Sequence, residues 1–201
     1  IPMVTMIMQR GGMSTSTVIY SQEEVRLTCF GGNSEGFRIV YSTNSLQELY
    51  DYTLKAFQAA WKYRWPTFIL ADGYQGKMMG EIEISNFDFP ISNLKPILTK
   101  GVNLRNCYNL EEEIGEIIVN YSDEYNKVRG EIEEYEEYQV KDAKIVLIAH
   151  GIVGAATKVA VDELRKRGGS IGLFRPITLR PFPTQVAMKI LNKAEKIIVL
   201  E

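Results

Sequence analysis

The stretch Met3-Val-Thr-Met-Ile-Met8 leads directly into Gln9-Arg-Gly-Gly-Met-Ser-Thr15, so a short apolar run is followed by a polar segment with two glycines. The nearly continuous apolar run predicts a strand that is covered on both faces, as in a parallel sheet. The polar segment then predicts the loop at the carboxyl end of this strand. Open parallel sheets bind their ligands at that edge.

The same alternation of strand and helix signals continues through the first half of the chain. Residues 37–41 and 67–71 predict further strands, and residues 46–61 between them carry one helical stripe of apolar side chains. Ser21-Gln-Glu-Glu24 and Ser45-Leu-Gln-Glu48 each predict a capping box, because serine and glutamate can each satisfy a free backbone amide at a helix start. This order of elements predicts a parallel α/β sheet.

An acidic segment separates the first half from the second. Residues 111–137 contain eleven Asp or Glu against two basic residues, Lys127 and Arg129, for a net charge of −9. Apolar positions recur at helical spacing in this segment. We expect an exposed amphipathic helix that bridges two domains, in preference to an acidic site for a partner.

The α/β alternation resumes after this segment. Residues 144–149, 170–175 and 196–200 predict strands, and residues 155–167 and 183–193 predict helices. The chain is therefore expected to be an α/β protein with two parallel-sheet α/β domains. The predicted division is a first domain over 1–108, an acidic linker helix over 109–140 and a second, smaller domain over 141–201.

Composition excludes several classes of protein. The chain has 201 residues, a net charge of −2, two cysteines (Cys29 and Cys107) and a single histidine, His150. No nucleic acid or anionic membrane is expected as a partner, because no positive field attracts one. A disulfide framework and a histidine-rich metal site need more Cys or His than are present, and with a single histidine an internal catalytic triad is nearly excluded.

The sequence also gives expectations about targeting signals and about the two ends of the chain. No run of 18 apolar residues predicts a membrane span, and no secretion signal is found at the N-terminus. A cytoplasmic protein is therefore expected. Both ends fall within apolar strand-like runs, whereas proteins usually begin and end at their surface, so we expect a fragment of a longer subunit.

Arg10 is the strongest candidate for chemistry. It follows a predicted strand, Gly11 and Gly12 let a ligand approach the backbone, and Ser14 and Thr15 add hydroxyl donors. A guanidinium group pairs with both oxygens of a small carboxylate or phosphate. The alternative is an arginine that holds an acidic residue across a domain contact, and the pattern alone favours it slightly because arginines are common at strand ends.

Other segments have structural interpretations. Gly31-Gly-Asn-Ser-Glu-Gly36 predicts a helix stop and a turn, and the turn Gly151-Ile-Val-Gly154 lacks the full dinucleotide fingerprint and is assigned to packing. His150 is expected to be a satisfied turn residue. Both cysteines are assigned to structure. Residues 175–183 contain three prolines and predict a stiff connection between a strand and a helix, either a plain loop or a subunit contact.

Several of these segments together resemble a known family. In order, Gln9–Thr15, Gly31–Gly36 and Gly172-Leu-Phe-Arg-Pro-Ile-Thr-Leu-Arg-Pro-Phe-Pro183 are similar to the alpha subunit of 2-oxoacid:ferredoxin oxidoreductases. Glu134-Tyr-Glu-Glu-Tyr138 and the following Asp142–Val146 resemble the entry to that family's second domain. The similarity spans essentially the whole chain. The acidic segment most resembles the branched-chain (2-oxoisovalerate) members, and the 2-oxoglutarate type is the other option.

The resemblance implies a thiamine-diphosphate enzyme that decarboxylates a 2-oxoacid, passes electrons through iron–sulfur clusters to ferredoxin and forms an acyl-CoA. It implies a pyrimidine-type domain followed by a transketolase-C-terminal-like domain. The cofactor's diphosphate and Mg would be held mainly by a beta subunit, and the clusters would lie in other subunits of beta, gamma or delta type. The family's cofactor-activating glutamate precedes the Arg-Gly-Gly segment and is not in this chain.

Within this resemblance, Arg10 matches the arginine that pairs with the substrate's carboxylate. Met13 and Ser16 stand where the family usually has Pro and Gly, and Asn33-Ser34 stand in place of His-Gly. These differences affect loop shape and substrate choice. A transketolase or 2-oxoacid dehydrogenase subunit shares the domain order and is the second enzyme hypothesis. A non-catalytic assembly module is the alternative from another class.

Overall fold

The computed structural model describes residues 2–12, 21–32, 36–84 and 107–201. These residues form two four-stranded sheets. The strands of the first sheet, in spatial order, are β1 (Met3–Gln9), β3 (Pro66–Asp72), β2 (Ile39–Ser42) and β7 (Thr178–Arg180). The strands of the second sheet are β4 (Tyr135–Tyr138), β6 (Ile171–Pro176), β5 (Ile145–Ile148) and β8 (Lys196–Val199).

Both sheets are mainly parallel. In the first sheet β1, β3 and β2 run parallel, and the register pairs Gln9 with Asp72, so the carboxyl ends of β1 and β3 are level. In the second sheet β5 is parallel to both β6 and β8. Each sheet adds one antiparallel edge strand, β7 on β2 and β4 on β6. The expected α/β class with two parallel-dominated sheets is therefore present.

Helices cover both faces of each sheet. They are α1 (Val25–Phe30), α2 (Leu46–Tyr63), α3 (Glu111–Ile132), α4 (Gly151–Lys166) and α5 (Thr184–Leu191), with a short 3-10 helix at Gln75–Lys77. Successive side chains of β2 point to opposite faces of the first sheet. Ile39 and Tyr41 pack with α2 on one face, and Val40 packs with Cys29 of α1 on the other. We call the first sheet with α1–α3 the first unit, and the second sheet with α4 and α5 the second unit.

The antiparallel edge strands cross the predicted boundary at residue 140. β4 precedes this position but joins the second sheet, and β7 follows it but joins the first. Sequence analysis predicts neither strand. Residues 175–183, predicted as a stiff connection, contain β7, and Ser42 N–H donates to Ile177 O at 2.8 Å beside it. The two units are therefore joined by main-chain hydrogen bonds.

The acidic helix is shorter than predicted. α3 ends at Ile132, and the expectation of helix through residue 140 is wrong because Tyr135–Tyr138 pairs with β6. Pairing with a neighbouring strand satisfies the backbone of these residues. The helix is also attached to the first unit, since Ile132 is part of the buried cluster that contains Ile39 and Val128 packs against this cluster. Its acidic outer face is exposed, as expected.

Two other local expectations are also wrong. β1 is not covered on both faces in the described part of the chain, because it lies at the edge of its sheet and Met3, Met6 and Met8 are 46%, 41% and 38% exposed. The predicted turn at 151–154 is already the first turn of α4.

Among the described residues, none of the helices is both long and apolar enough to cross a membrane.

Candidate functional site

The carboxyl edge of the first sheet contains the segment that sequence analysis selects. Arg10, Gly11 and Gly12 follow the last residue of β1, and Gly73 after β3 donates its N–H to Gln9 O at 2.8 Å. Arg10 is half-buried and Gly11 is buried, whereas Gly12 is exposed. The structure therefore gathers these three residues at one strand end. Ser14 and Thr15 lie outside the described residues, and the binding role of all five stays a prediction.

The backbone of Arg10 is held by a carboxylate. Its N–H donates to Glu24, with N···O distances of 3.2 and 3.4 Å to the two carboxylate oxygens. The capping box predicted for Ser21 and Glu24 is wrong, because α1 begins at Val25 and the Glu24 side chain makes no capping hydrogen bond. The long-range bond to Arg10 takes the place of the local one.

Gly12 continues the chain in a conformation that favours glycine. Its φ is +83°, and a Cβ added there would meet no atom within 4 Å. The requirement at this position is therefore conformational, not steric: a side chain would have room but would force an unfavourable backbone.

A cleft of about 720 Å³ lies between the two units at this edge. Most of its lining comes from the turn before α1, from α1 itself and from the end of β3, and the second unit adds the start of α4 and the end of the chain. The lining residues are Ser21, Gln22, Glu23, Val25, Arg26, Phe30, Asp72, Tyr74, Ile152, Val153 and Glu201. Arg10 is not among these lining residues; its backbone N–H is bound by Glu24, which is next to two of them along the chain.

Asp72 is a site residue that sequence analysis misses. It is 3% exposed at the carboxyl end of β3, and its Oδ1 accepts the N–H of Tyr74 at 2.7 Å. Its own N–H donates to Gln75 Oε1 at 3.0 Å. An acidic residue that directly follows the apolar run at 67–71 was the available signal. The carboxylate stiffens the turn that forms one wall of the cleft.

Two buried amides at the same edge keep unused hydrogen-bonding capacity. Gln9 and Gln75 are 1% and 2% exposed. Gln9 Oε1 and Gln75 Nε2 have no hydrogen-bond partner within the described parts of the chain. Buried polar atoms are usually paired, so this edge is suited to a ligand that offers both a donor and an acceptor.

His150 joins the second unit to the first. It is the N-cap residue of α4, and its Nδ1 is 2.8 Å from Ser42 Oγ at the end of β2. Burial lowers the pKa of His150 to about 4, and the positive charge of Arg175 acts in the same direction. The imidazole is therefore neutral at physiological pH. Its hydrogen bond agrees with the prediction of a satisfied residue.

This pKa predicts a loss of stability in mild acid. Between pH 7 and pH 5 the unfolded chain binds a proton at His150 that the folded chain does not. Because the folded-state pKa is about 4, the free energy of unfolding should fall by about 2 kcal/mol over this range. Urea unfolding of the full-length subunit at the two pH values measures the change.

The control for this pH dependence is His150→Asn, which keeps a good N-cap side chain but does not titrate. The variant should lose the His150 contribution and retain whatever the carboxylates contribute. An identical decrease from pH 7 to pH 5 in both proteins would contradict the assignment.

The glycines at the start of α4 serve packing, as predicted. Gly151 has φ +54°, and a Cβ there would lie 2.5 Å from Gln22 Nε2 and 3.3 Å from Ser42 Oγ. A Cβ at Gly154 would lie 3.0 Å from Arg175 Cδ. Gly151 therefore allows close approach of the second unit to the first, and Gly154 allows close packing of α4 on β6 within the second unit.

The remaining candidates have no evident chemistry. Cys29 is buried, and burial raises the pKa of its thiol to about 11 despite the opposing effects of Arg180 and Arg38. Cys107 is exposed. Gly31 follows the end of α1 as predicted, whereas Asn33, Ser34 and Glu35 lie outside the described residues. In the described ranges no group of three or more His, Cys, Asp or Glu side chains could hold a metal ion.

The fold defines an α/β protein of two parallel-dominated units, with a candidate ligand site at strand ends. The chain belongs to the pyruvate flavodoxin/ferredoxin oxidoreductase family. Residues 1–146 match its model described as "Pyruvate flavodoxin/ferredoxin oxidoreductase, thiamine diP-bdg". Residues 143–201 match a second model, "Pyruvate:ferredoxin oxidoreductase core domain II".

Curated relatives agree with this family. The chain is 35% identical over 195 residues to the ketoisovalerate oxidoreductase subunit VorB of Methanothermobacter marburgensis, a match that covers 92% of this chain and 54% of the relative. It is 29% identical over 231 residues to the 2-oxoglutarate synthase subunit KorA of Methanocaldococcus jannaschii, covering 100% of this chain and 62% of that protein. The chain thus spans a little over half the length of these relatives.

A solved structure has the same fold. The 2-oxoglutarate:ferredoxin oxidoreductase from Magnetococcus marinus, solved with 2-oxoglutarate, coenzyme A and succinyl-CoA bound, superposes with a TM-score of 0.78. The sequence identity is 20%, and the match covers 98% of this chain and 41% of that chain. At this identity the similarity concerns the fold.

These matches confirm the resemblance drawn from the motifs and the expected α/β class. The relatives are named as subunits of oxidoreductases, and the family description includes thiamine diphosphate binding. The transketolase or 2-oxoacid dehydrogenase alternative is not favoured. The division into domains at 1–108, 109–140 and 141–201 stays a prediction.

Proposed function

We propose that this chain forms part of the alpha-type subunit of a thiamine-diphosphate-dependent 2-oxoacid:ferredoxin oxidoreductase. The complete enzyme would decarboxylate a 2-oxoacid oxidatively, transfer the carbon skeleton to coenzyme A as an acyl-CoA and give the electrons to ferredoxin. The family match over 1–146 and the names of the relatives support this proposal.

The role of this chain in that reaction would be to hold the acid end of the substrate. The observation that carries this assignment is Arg10 itself, an arginine at the carboxyl end of β1 whose backbone N–H is bound by Glu24. Its guanidinium would pair with both oxygens of the 2-oxoacid carboxylate. A charge-assisted pair of this kind contributes about 1.5–3 kcal/mol.

The residues around Arg10 support the same role. Gly12 is exposed and would let the substrate approach the backbone there, and Ser14 and Thr15 would add hydroxyl donors. Because Arg10 would hold the carboxylate in the ground state, its contribution is to binding. The adjacent keto carbon is then left in a fixed position for attack.

The chain also offers partners for the cofactor. When bound, thiamine diphosphate supplies the carbanion nucleophile and the electron sink for loss of CO₂. The unpaired amide atoms of Gln9 and Gln75 fit an aminopyrimidine ring, which has donors and acceptors. A beta-type partner subunit would hold the diphosphate and Mg, and further gamma- and delta-type subunits would carry the iron–sulfur clusters.

Arg10→Lys tests the assignment in the assembled full-length complex. Lysine keeps the positive charge but lacks the planar fork, so KM for the 2-oxoacid should rise about 10-fold with little change in kcat. Steady-state kinetics with the 2-oxoacid as the varied substrate measures the change.

Arg167→Lys is the matched control, because Arg167 is an exposed guanidinium at the C-terminal end of α4 and does not line the cleft. It should leave KM unchanged. An unchanged KM for Arg10→Lys, or an equal increase for Arg167→Lys, would refute the role of Arg10.

A further inference from the structure

The second unit touches the turn that precedes α1. Gln22 Nε2 donates to His150 O at 3.1 Å, across the gap between the two units. Gln22 belongs to the first unit and His150 is the N-cap residue of α4 in the second. This contact is separate from Arg10 and from the amides that would meet the cofactor.

The carbonyl that receives Gln22 is itself well anchored. His150 O also accepts the N–H of Gly154 at 3.0 Å in the first turn of α4. The His150 ring is bonded to Ser42 Oγ at 2.8 Å. The carbonyl is thus tied to the helix, and the ring of the same residue is tied to the end of β2.

Gly151 makes room for the Gln22 side chain. A Cβ at this position would lie 2.5 Å from Gln22 Nε2, which is shorter than any ordinary contact, and the φ of +54° is itself unfavourable for other residues. Any side chain at 151 would push the amide away from the His150 carbonyl. The contact therefore depends on glycine.

The turn before α1 links the Gln22 contact to Arg10. Two residues after Gln22, the Glu24 carboxylate accepts the N–H of Arg10, and Glu24 O accepts the N–H of Thr28 to start α1. The turn is therefore held at one end by His150 of the second unit and at the other by α1. Its carboxylate in turn holds the backbone of Arg10.

We propose that Gln22 is a positioning residue, through which the second unit sets the place of Arg10 at the carboxyl edge of the first sheet. This inference rests on the proposed role of Arg10. Displacements on the order of 1 Å are enough to weaken a bound geometry considerably. Loss of the Gln22 contact lets the turn, Glu24 and Arg10 shift together, and the substrate's carboxylate is held less well.

Gln22→Ala tests the proposal in the assembled full-length complex. KM for the 2-oxoacid should rise about 2- to 10-fold, the range for one lost hydrogen bond, while kcat stays unchanged. The matched control is Gln47→Ala. Gln47 also binds a backbone segment through its amide, with 3.0 Å to Glu83 O and 2.7 Å to Glu83 N, but it lies on exposed surface away from the cleft. This control should leave KM unchanged.

Gln22→Ala in the Arg10→Ala background distinguishes positioning of the Arg10 side chain from general damage to the enzyme. Without the Arg10 side chain there is no guanidinium to position, so Gln22→Ala should cause no further rise in KM. An equal rise in both backgrounds would overturn the proposal, because Gln22 would then act elsewhere. An unchanged KM for Arg10→Ala alone would instead refute the proposed function.

Gly151→Ala tests the same contact from the other side. It should raise KM for the 2-oxoacid by a similar factor, since the added Cβ displaces the Gln22 amide. An unchanged KM in either single variant, while Arg10→Lys raises it, would overturn the positioning role. Failure of Gln22→Ala to assemble would also overturn it, because one positioning contact should not be required for assembly.

Discussion

Arg175→Met should lower the free energy of unfolding of the full-length subunit by about 3 kcal/mol, because it removes the centre of a buried charge cluster. Arg175 is 1% exposed. Its Nη2 lies 2.6 and 2.8 Å from the two carboxylate oxygens of Glu48, and its Nη1 lies 3.0 Å from Glu136. Lys158 completes the cluster at 2.5 Å from Glu136.

The loss is expected to be large because two carboxylates remain. Glu48 belongs to α2 of the first unit and Glu136 to β4 of the second, with 22% and 29% of their side chains exposed. Methionine fills similar space but leaves both acidic groups poorly solvated and without their guanidinium. The variant should therefore separate the two units more easily as well as unfold more easily. Urea unfolding measures the change.

Lys144→Met is the control for this prediction. Lys144 pairs with Glu195 at 3.0 Å, but the two side chains are 65% and 66% exposed. Surface pairs of this kind contribute about 0–1 kcal/mol, so the control should change stability little. Equal losses for the two variants would show that the buried position of Arg175 has no special importance.

Gly172→Ala should lower the free energy of unfolding by about 2 to 3 kcal/mol through overpacking. Gly172 lies in β6, at the centre of the second sheet. A Cβ there would lie 2.5 Å from Gln139 O, 2.8 Å from Gln139 C and 2.9 Å from Val140 Cα. All three atoms belong to the backbone, so no side-chain rotation relieves the clash. Thermal or urea unfolding of the full-length subunit tests the prediction.

Gly115→Ala is the matched substitution at an open position. Gly115 lies within α3, and a Cβ there would meet nothing within 4 Å. Alanine in a helix interior is favoured over glycine by about 1 kcal/mol, so this variant should be more stable than the parent. Destabilisation by Gly115→Ala, or no loss from Gly172→Ala, would contradict the steric argument.

The three parallel strands and the main helix of the first unit could be predicted from local pattern. Apolar runs indicated β1 and β3, and Ser45 caps α2 as expected, with its Oγ accepting the N–H of Glu48 at 3.1 Å. Such features depend on side-chain periodicity and on groups a few residues apart. The position of Arg10 after β1 could be predicted for the same reason.

The errors occur where a residue has a distant partner. Glu24 has the spacing of a capping residue but binds Arg10, 14 positions away. Tyr135–Tyr138 continues an acidic helical segment but pairs with β6. Thr178–Arg180 is surrounded by prolines yet completes the first sheet. In each case a tertiary hydrogen bond outweighs the local preference, which is the weaker term.

The sequence by itself determined the parallel strands and the main helices of this protein, the family to which it belongs and the arginine at a strand end, because these depend on short-range spacing and on motif identity. Only the tertiary structure decided which edge strand joins which sheet, the cleft between the units and the contact of Gln22 with His150. The physical reason is separation along the chain. Glu48 and Arg175 are 127 positions apart, and their pairing depends on how the two sheets pack, which local pattern does not encode.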